Sequence, residues 1–476
     1  MVALLAMGSA AGIAAPAHSQ VAPGWVRAAA KSPAALTPVF SLRRLAGPLH
    51  RQVAQRRLVT DLATATAVTG PESLCLDVRT AAGSTLYAQR PQTNLIPAST
   101  LKVLVGRALI ATLGPFQRLV TEVRGGPAAD GEVTDLWLIG GGDPLLSTAE
   151  FSAAATTSGR PRAGTSMEAL ADSVVAAGVR RVGRLSGDDS RHSGPRVLPG
   201  WLATYSSQLE ITPLSALTVN KGLLFRARPV VAAPDPAIHA AETLAELLAV
   251  RGVAVGATGA GVAPLSAALV ATAESVPMAD VVTDMLTNSD NLASEVLLRE
   301  LGRAKFGEGT TPAGIAALKA QLADSGHALS GVVVADGSGL DRADRVSCDL
   351  LADTLVDDGP EGVVARGLPV AGRSGTLVDR FVATAAEGRV RAKTGSLRGV
   401  FGLAGWVDPA EPGNGEALAF AFLANDVSGA RGAALTQAVA EILAAHPQAP
   451  PLADLSPLGS TTTTAGRSTS RRGAIE

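Results

Sequence analysis

Three polar motifs stand in order along an otherwise aliphatic chain: Ser99-Thr100-Leu101-Lys102, Ser289-Asp290-Asn291 and Lys393-Thr394-Gly395. Ser289 lies 190 positions after Ser99 and 104 before Lys393. If the three serve one site, the fold must bring the two ends of the chain together and carry the long middle stretch as an excursion. The set supplies a nucleophile, proton-handling groups and a carboxylate anchor without any histidine.

Local pattern puts each motif on a different element. Residues 73–78 and 85–88 flank a turn-like Thr80-Ala81-Ala82-Gly83-Ser84 and read as a hairpin. Residues 100–113 read as a helix stopped by Gly114-Pro115. Ser289-Asp290-Asn291 falls between helical stretches at 278–286 and 292–301. Residues 389–396, 399–407 and 417–424 read as consecutive strands, followed by a helix with Leu435, Val439, Ile442 and Leu443 on one face. Two early and three late strands predict one antiparallel five-stranded sheet flanked by helices. The fold class is therefore α+β, with a discontinuous catalytic domain at 39–122 and 272–447.

The excursion has its own rhythm. Residues 136–139 form a strand candidate ended by Gly140-Gly141-Gly142-Asp143-Pro144. Helix 167–177 then strand 179–185, and helix 241–250 then strand 253–255, repeat one order. Residues 123–271 amount to about one ordinary domain. A large α/β insertion after the nucleophile helix is expected. The glycine run is a tight turn and not a phosphate loop, because no Gly-Lys-Ser/Thr follows it.

Ser99 and Lys102 lie three apart and share a face on a helix. Pro97 sets Ser99 in the first turn, where free N–H groups and the positive dipole end favour developing anionic charge. A serine hydroxyl is a weak nucleophile until a base takes its proton. Lysine serves when burial or a nearby cation lowers its pKa. In isolation the first motif is an ordinary helix start and the second a turn or cap; the ordered set gives them weight. In that set the Ser289 hydroxyl belongs to a proton relay to the leaving group, and Asn291 donates to a substrate amide carbonyl. Lys393 and Thr394 hold a terminal carboxylate by charge and hydrogen bond. Gly395 lets a bound peptide backbone approach the strand. Alternation sends Lys393 and Gly395 to one strand face and Thr394 to the other, so this placement needs local twist or an edge position.

Other chemistries find no support. The chain has no G-x-S-x-G and no H-E-x-x-H, and its six histidines are scattered; no metal and no cofactor is expected. A net charge of −1 gives no reason to expect nucleic acid. Nothing points to a protein partner. The composition, 47% hydrophobic with 3% aromatic, fits a large aliphatic core. Cys75 and Cys348 form no C-x-x-C. Each reads as a small buried hydrophobe; a bridge between them depends on export and on a fold that brings them together.

Residues 2–15 are apolar or small and lead into Ala15-Pro16-Ala17 and Ala17-His18-Ser19, as in a secretory signal. No basic residue precedes Arg27, a departure from that pattern. Residues 1–22 are read as a signal segment of an exported, extracytoplasmic protein, with the mature chain starting near residue 18 to 20. Residues 448–476, rich in Pro, Ser and Thr, read as a disordered tail.

The three motifs match the S-x-x-K, S-D-N and K-T-G set of penicillin-interacting serine enzymes. Leu95-Ile96-Pro97-Ala98-Ser99, Leu138-Ile139-Gly140-Gly141-Gly142-Asp143-Pro144, Asp336-Gly337-Ser338-Gly339-Leu340 and Gly375-Thr376-Leu377 extend the match. Over roughly 73–424 the chain resembles the D-alanyl-D-alanine carboxypeptidases and DD-endopeptidases of the class C low-molecular-mass penicillin-binding type. The resemblance implies a transpeptidase/β-lactamase-like domain acting on peptidoglycan stem peptides and acylated by β-lactams. It implies an acyl-enzyme on Ser99 with Lys102 as general base. Ser289 and Asn291 would form the second element, and Lys393 and Thr394 the carboxylate clamp. The backbone N–H of Ser396, where the family often has Thr, would form the oxyanion hole with that of Ser99. Asp341 and Asp344 stand where Ser and Asn are usual, which changes the charge of the nearby groove.

Two alternatives compete. Class A β-lactamases share the motifs, but the large insertion argues against them. An inactive penicillin-sensing or peptidoglycan-binding module is opposed by the chemical competence of every motif position.

Overall fold

In the computed structural model, residues 46–67, 73–125, 130–157, 164–410 and 416–447 are described. The described residues from His50 onward belong to one compact unit. The expected signal segment (1–22) and tail (448–476) lie outside the described residues. Among the described residues no helix is long and apolar enough to cross a membrane.

Helix α1 (Ala46–Ala65) leads into strands β1 (Ser73–Thr80) and β2 (Thr85–Gln89). A 3-10 turn (Ala98–Thr100) then runs into α2 (Leu101–Leu113). The chain leaves through β3 (Val120–Gly125) and β4 (Glu132–Ile139). After β5 (Leu146–Ser147), α3 (Ala149–Thr157) and β6 (Thr165–Ser166) comes a first helix–strand step, α4 (Met167–Ala176) to β7 (Arg181–Asp188). Past α5 (Ala203–Ser207), β8 (Leu223–Leu224) and β9 (Val231–Ala232), a second step runs from α6 (Pro236–Val250) to β10 (Ala254–Ala260). The return is β11 (Leu269–Glu274). Helices α7 (Met278–Asn288), α8 (Asn291–Phe306), α9 (Thr311–Asp324), α10 (Cys348–Asp358) and α11 (Val363–Gly367) follow. The chain closes with β12 (Val390–Leu397), β13 (Val400–Val407), β14 (Leu418–Asn425) and α12 (Gly429–Ala445).

The late strands join the early hairpin in one antiparallel sheet, ordered β12-β13-β14-β1-β2. This is the α+β architecture that the strand pattern predicts. Both faces of the sheet are covered, so its central strand is apolar at nearly every position. Leu418, Phe420 and Phe422 of β14 face Leu58 and Leu62 of α1 and Leu435, Val439 and Leu443 of α12. Ala419, Ala421 and Leu423 face the other way, into a core shared with α2, α7, α8 and α10. Ile442, expected on the buried face of α12, is only partly buried.

A second sheet, ordered β10-β7-β4-β3-β11, holds the excursion. β4, β7 and β10 run parallel, as helix crossovers require, while β3 and β11 are antiparallel neighbours. The departing and returning strands therefore lie side by side. The helix expected at 241–250 starts earlier, at Pro236, capped by Asp235, whose side chain accepts from the backbone N–H of Ala237 and Ile238. The Asp-Pro pair is the start signal.

The two cysteines are not separate thiols. Cys75 and Cys348 form a disulfide with a Cα–Cα distance of 5.9 Å, and both are fully buried. Alternation along β1 sends Leu74 and Leu76 to the α1/α12 side and Cys75 to the helical side, where α10 begins at Cys348. Farther along the same face, Arg79 pairs with Asp77 of its own strand and with Asp349 and Asp353 of α10. With 273 positions between the cysteines, only the sheet topology brings them together.

Candidate active site

The 3-10 turn places Ser99 directly ahead of α2, with its side chain partly exposed. Ala98 before it has a left-handed φ of +48°, an unfavourable conformation for a residue with a Cβ. Gly339 explains why that turn keeps its shape: a Cβ there would stand 1.9 Å from Ala98 O. The Asp336-Gly337-Ser338-Gly339 turn is thus packed directly on the nucleophile turn.

Lys102, in the first turn of α2, is fully buried, and three acceptors surround its Nζ. These are Ser99 Oγ at 2.9 Å, Asn291 Oδ1 at 2.8 Å and Ser338 O at 2.6 Å. Burial lowers its pKa to about 8, opposed by Asp336, Glu295, Asp290 and Asp344 to the extent that each is ionised. The neutral amine has two N–H donors and one lone pair. If the two carbonyl oxygens take the donors, the lone pair points at the Ser99 hydroxyl.

The second motif is a helix junction. Ser289 caps α7 in the left-handed region at φ +54°, and the Asp290 side chain caps α8 by accepting from Ala293 N at 3.1 Å. Lys221 of the excursion pairs with Asp290 at 3.1 Å. This junction turns the Ser289 hydroxyl toward Lys393, whose Nζ donates to it at 2.8 Å. Asn291 opens α8, and its Nδ2 donates to Glu210 O at 2.8 Å. The donor expected to meet a substrate amide is therefore occupied by a backbone carbonyl of the excursion.

β12 is an edge strand, one of the two placements that the Lys393-Thr394-Gly395 alternation allows. Two expectations change here. Lys393 is fully buried behind Ser289, not presented to the cleft, and burial beside the Lys102 charge pulls its pKa well below the ordinary lysine value. Gly395 faces the protein's own nucleophile turn: a Cβ would stand 2.5 Å from Pro97 O and 3.1 Å from Thr100 Cγ2. Glycine is needed there for that turn. Thr394 and Ser396 do line the cleft.

The cleft encloses about 740 Å³ and opens over Ser99, Ser289 and Asn291. Tyr205, Glu210, Leu340, Arg342 and Arg398 complete its walls. The sequence gives no direct signal for these. Arg398 sits in the turn between β12 and β13, just beyond the strand that carries Thr394 and Ser396. Among the described residues no group of side chains could hold a metal ion.

Residues 72–229 and 225–446 match the family described as the D-Ala-D-Ala carboxypeptidase 3 (S13) family. A D-alanyl-D-alanine carboxypeptidase from an Actinomadura species is 30% identical over 463 residues, covering 80% of this chain and 82% of the relative. Carboxypeptidase DacB from Mycolicibacterium smegmatis is 33% identical over 379 residues, 76% of this chain and 78% of the relative. Among solved structures, penicillin binding protein 4 from Haemophilus influenzae superposes with a TM-score of 0.67 at 19% identity. That match covers 80% of this chain and 97% of the other.

Proposed function

The chain belongs to the D-Ala-D-Ala carboxypeptidase 3 (S13) family and is a serine-type D-alanyl-D-alanine carboxypeptidase; we propose that it trims peptidoglycan stem peptides through an acyl-enzyme on Ser99. The observation that carries this assignment of roles is Lys102 Nζ, 2.9 Å from Ser99 Oγ and tied to two carbonyl oxygens.

In this reading the Ser99 hydroxyl gives its proton to Lys102 as its oxygen attacks the carbonyl of the penultimate D-alanine. The backbone N–H of Ser396 and Ser99 meet the developing oxyanion. Strand geometry supports the first of these. Ala392 N donates to Pro369 O, on the side away from β13. Every second N–H points the same way, so that of Ser396 also leaves the free edge of β12. Collapse of the tetrahedral intermediate breaks the C–N bond, and the leaving amine takes a proton through Ser289, which Lys393 hydrogen-bonds. Water then hydrolyses the ester and frees Ser99. The substrate amide carbonyl replaces Glu210 O on Asn291 Nδ2.

The terminal carboxylate is held by Thr394 and Ser396, with charge supplied by Arg398, next in the row along the cleft. β-Lactams are acylating ligands of the same serine; the Haemophilus penicillin binding protein 4 has been solved with a β-lactam bound. The buried Cys75–Cys348 disulfide supports an oxidising, extracytoplasmic location. The mixed sheet with its own core between β3 and β11 supports reading 123–271 as an inserted domain.

Labelling with fluorescent penicillin tests the nucleophile: Ser99→Ala should fold and fail to label, and undiminished labelling would remove Ser99 from the role. Mass spectrometry of peptidoglycan fragments before and after treatment separates loss of terminal D-alanine from cleavage of cross-bridges, the DD-endopeptidase reaction.

A further inference from the structure

Helix α8 carries two side chains toward Lys102. Asn291 touches it directly. Glu295, one turn on and on the same face, is fully buried and reaches past it to the neighbouring turn. Glu295 Oε1 accepts from Gly337 N at 2.9 Å and from Ser338 N at 2.7 Å. Ser338 O is in turn the shortest contact of Lys102 Nζ, at 2.6 Å.

We infer that Glu295 is a positioning residue for acylation: it fixes the Ser338 carbonyl, which turns the Lys102 amine toward Ser99. The inference rests on the reading that Lys102 activates Ser99. Within the turn itself Asp336 accepts from Gly339 N at 2.7 Å and Asp341 N at 2.8 Å, so two carboxyl groups hold its N–H groups. Its close approach to Ala98 transmits that grip to the nucleophile turn.

A clamp needed only for stability has cheaper forms. Burying a carboxylate is costly unless all of its lone pairs are served, and Glu295 Oε2 is buried with no hydrogen-bond partner. A glutamine would offer one carbonyl oxygen to the same two N–H groups without the charge. The retained carboxyl group, its pKa pushed up to about 8 by burial and the Asp336 charge, ionises in the same pH range as the base it bears on.

The test measures second-order acylation by fluorescent penicillin from pH 6 to pH 10, with thermal unfolding, on the full chain and its variants. In Glu295→Ala the Ser338 carbonyl is released, and acylation should fall about a hundredfold, the scale of a 1 Å misplacement. In Glu295→Gln the amide oxygen keeps the turn, so the plateau rate should stay within about tenfold of wild type. Burial and the Asp336 charge push the Glu295 pKa up to about 8, so its negative charge forms only as the pH rises through that value; the Gln variant, which lacks it, should complete its acid limb and reach its plateau at lower pH. Asp290, Asp336, Asp344 and Lys393 also bear on this site and are unchanged in both variants. Wild-type rates with an unmoved limb in both variants would overturn the inference. If the Ala variant does not fold, the limb of the Gln variant decides alone. Lys102→Ala separates the two layers: normal acylation there removes the reading of Lys102 itself, whereas loss there with unaffected Glu295 variants removes only the role of Glu295.

Discussion

Lys102 Nζ and Asn291 Oδ1 lie 2.8 Å apart across 189 positions of chain. The contact joins the first turn of α2 to the first turn of α8, with the whole excursion looped out between them. One hydrogen bond therefore couples the nucleophile helix to the helix junction that orients Ser289.

Lys102 should make acylation rise with pH. Its pKa is lowered to about 8, and only the neutral amine accepts a proton. The penicillin acylation rate should therefore climb from pH 6 and level off above about 8. Lys102→Ala should slow it by ~10²–10⁴, the scale of general-base catalysis. Lys102→Arg should not rescue it, because guanidinium stays protonated. A near-normal Arg variant would mean that the residue supplies charge alone.

The Cys75–Cys348 bridge closes a loop of 273 positions, so its loss should act mainly through the unfolded chain. Replacing both cysteines by serine should lower unfolding free energy by about 2–5 kcal/mol. Neither cysteine lines the cleft, so penicillin acylation of the folded variant should be unchanged. Urea unfolding with and without reductant checks this: wild type in reductant should approach the variant. Equal stability of the variant and of wild type without reductant would show that the bridge adds nothing.

The sheet was legible because the strands are short apolar or alternating runs bounded by turn residues, and they stand near both ends of the chain. The site was legible as residue types at fixed places: Ser99, Lys102, Ser289 and Asn291 do meet around one cleft. What the pattern could not carry was direction. Alternation put Lys393 and Thr394 on opposite faces, and it could not tell that Lys393 would lie buried with its Nζ on Ser289. Glu295 was missed although it stands at Asn291 plus four, because a glutamate on a helix is ordinarily a solvated one. The disulfide stayed open in the sequence because pairing between β1 and α10 depends on tertiary packing, which no local spacing records.

Asp344 should make stability fall as pH rises. Burial, reinforced by the Asp336 charge, pushes its pKa to about 10. The native state then holds a proton that the unfolded state releases near pH 4, so stability is lost progressively between those values. Asp344→Asn removes the dependence. Its advantage over wild type should grow between pH 6 and pH 8, by up to about 1.4 kcal/mol per unit. Urea unfolding at the two values measures it, and a flat difference would mean that Asp344 titrates normally.

The carboxylate anchor separates the expectation from sequence and the reading from structure. Amidating the terminal D-alanine removes its charge but keeps the scissile bond. A charge-assisted hydrogen bond contributes ~1.5–3 kcal/mol, so amidation should reduce kcat/KM at least about tenfold at 1.36 kcal/mol per decade. Lys393 sits behind Ser289, whereas Arg398 lines the cleft beside Thr394 and Ser396. Arg398→Gln should therefore abolish most of the discrimination between acid and amide while leaving turnover of the amide nearly unchanged. Lys393→Gln should slow both substrates alike, since it disturbs the Ser289 relay that either leaving group uses. The reverse pattern, discrimination lost with Lys393→Gln and retained with Arg398→Gln, would return the anchor to the buried lysine and require it to swing into the cleft when substrate binds.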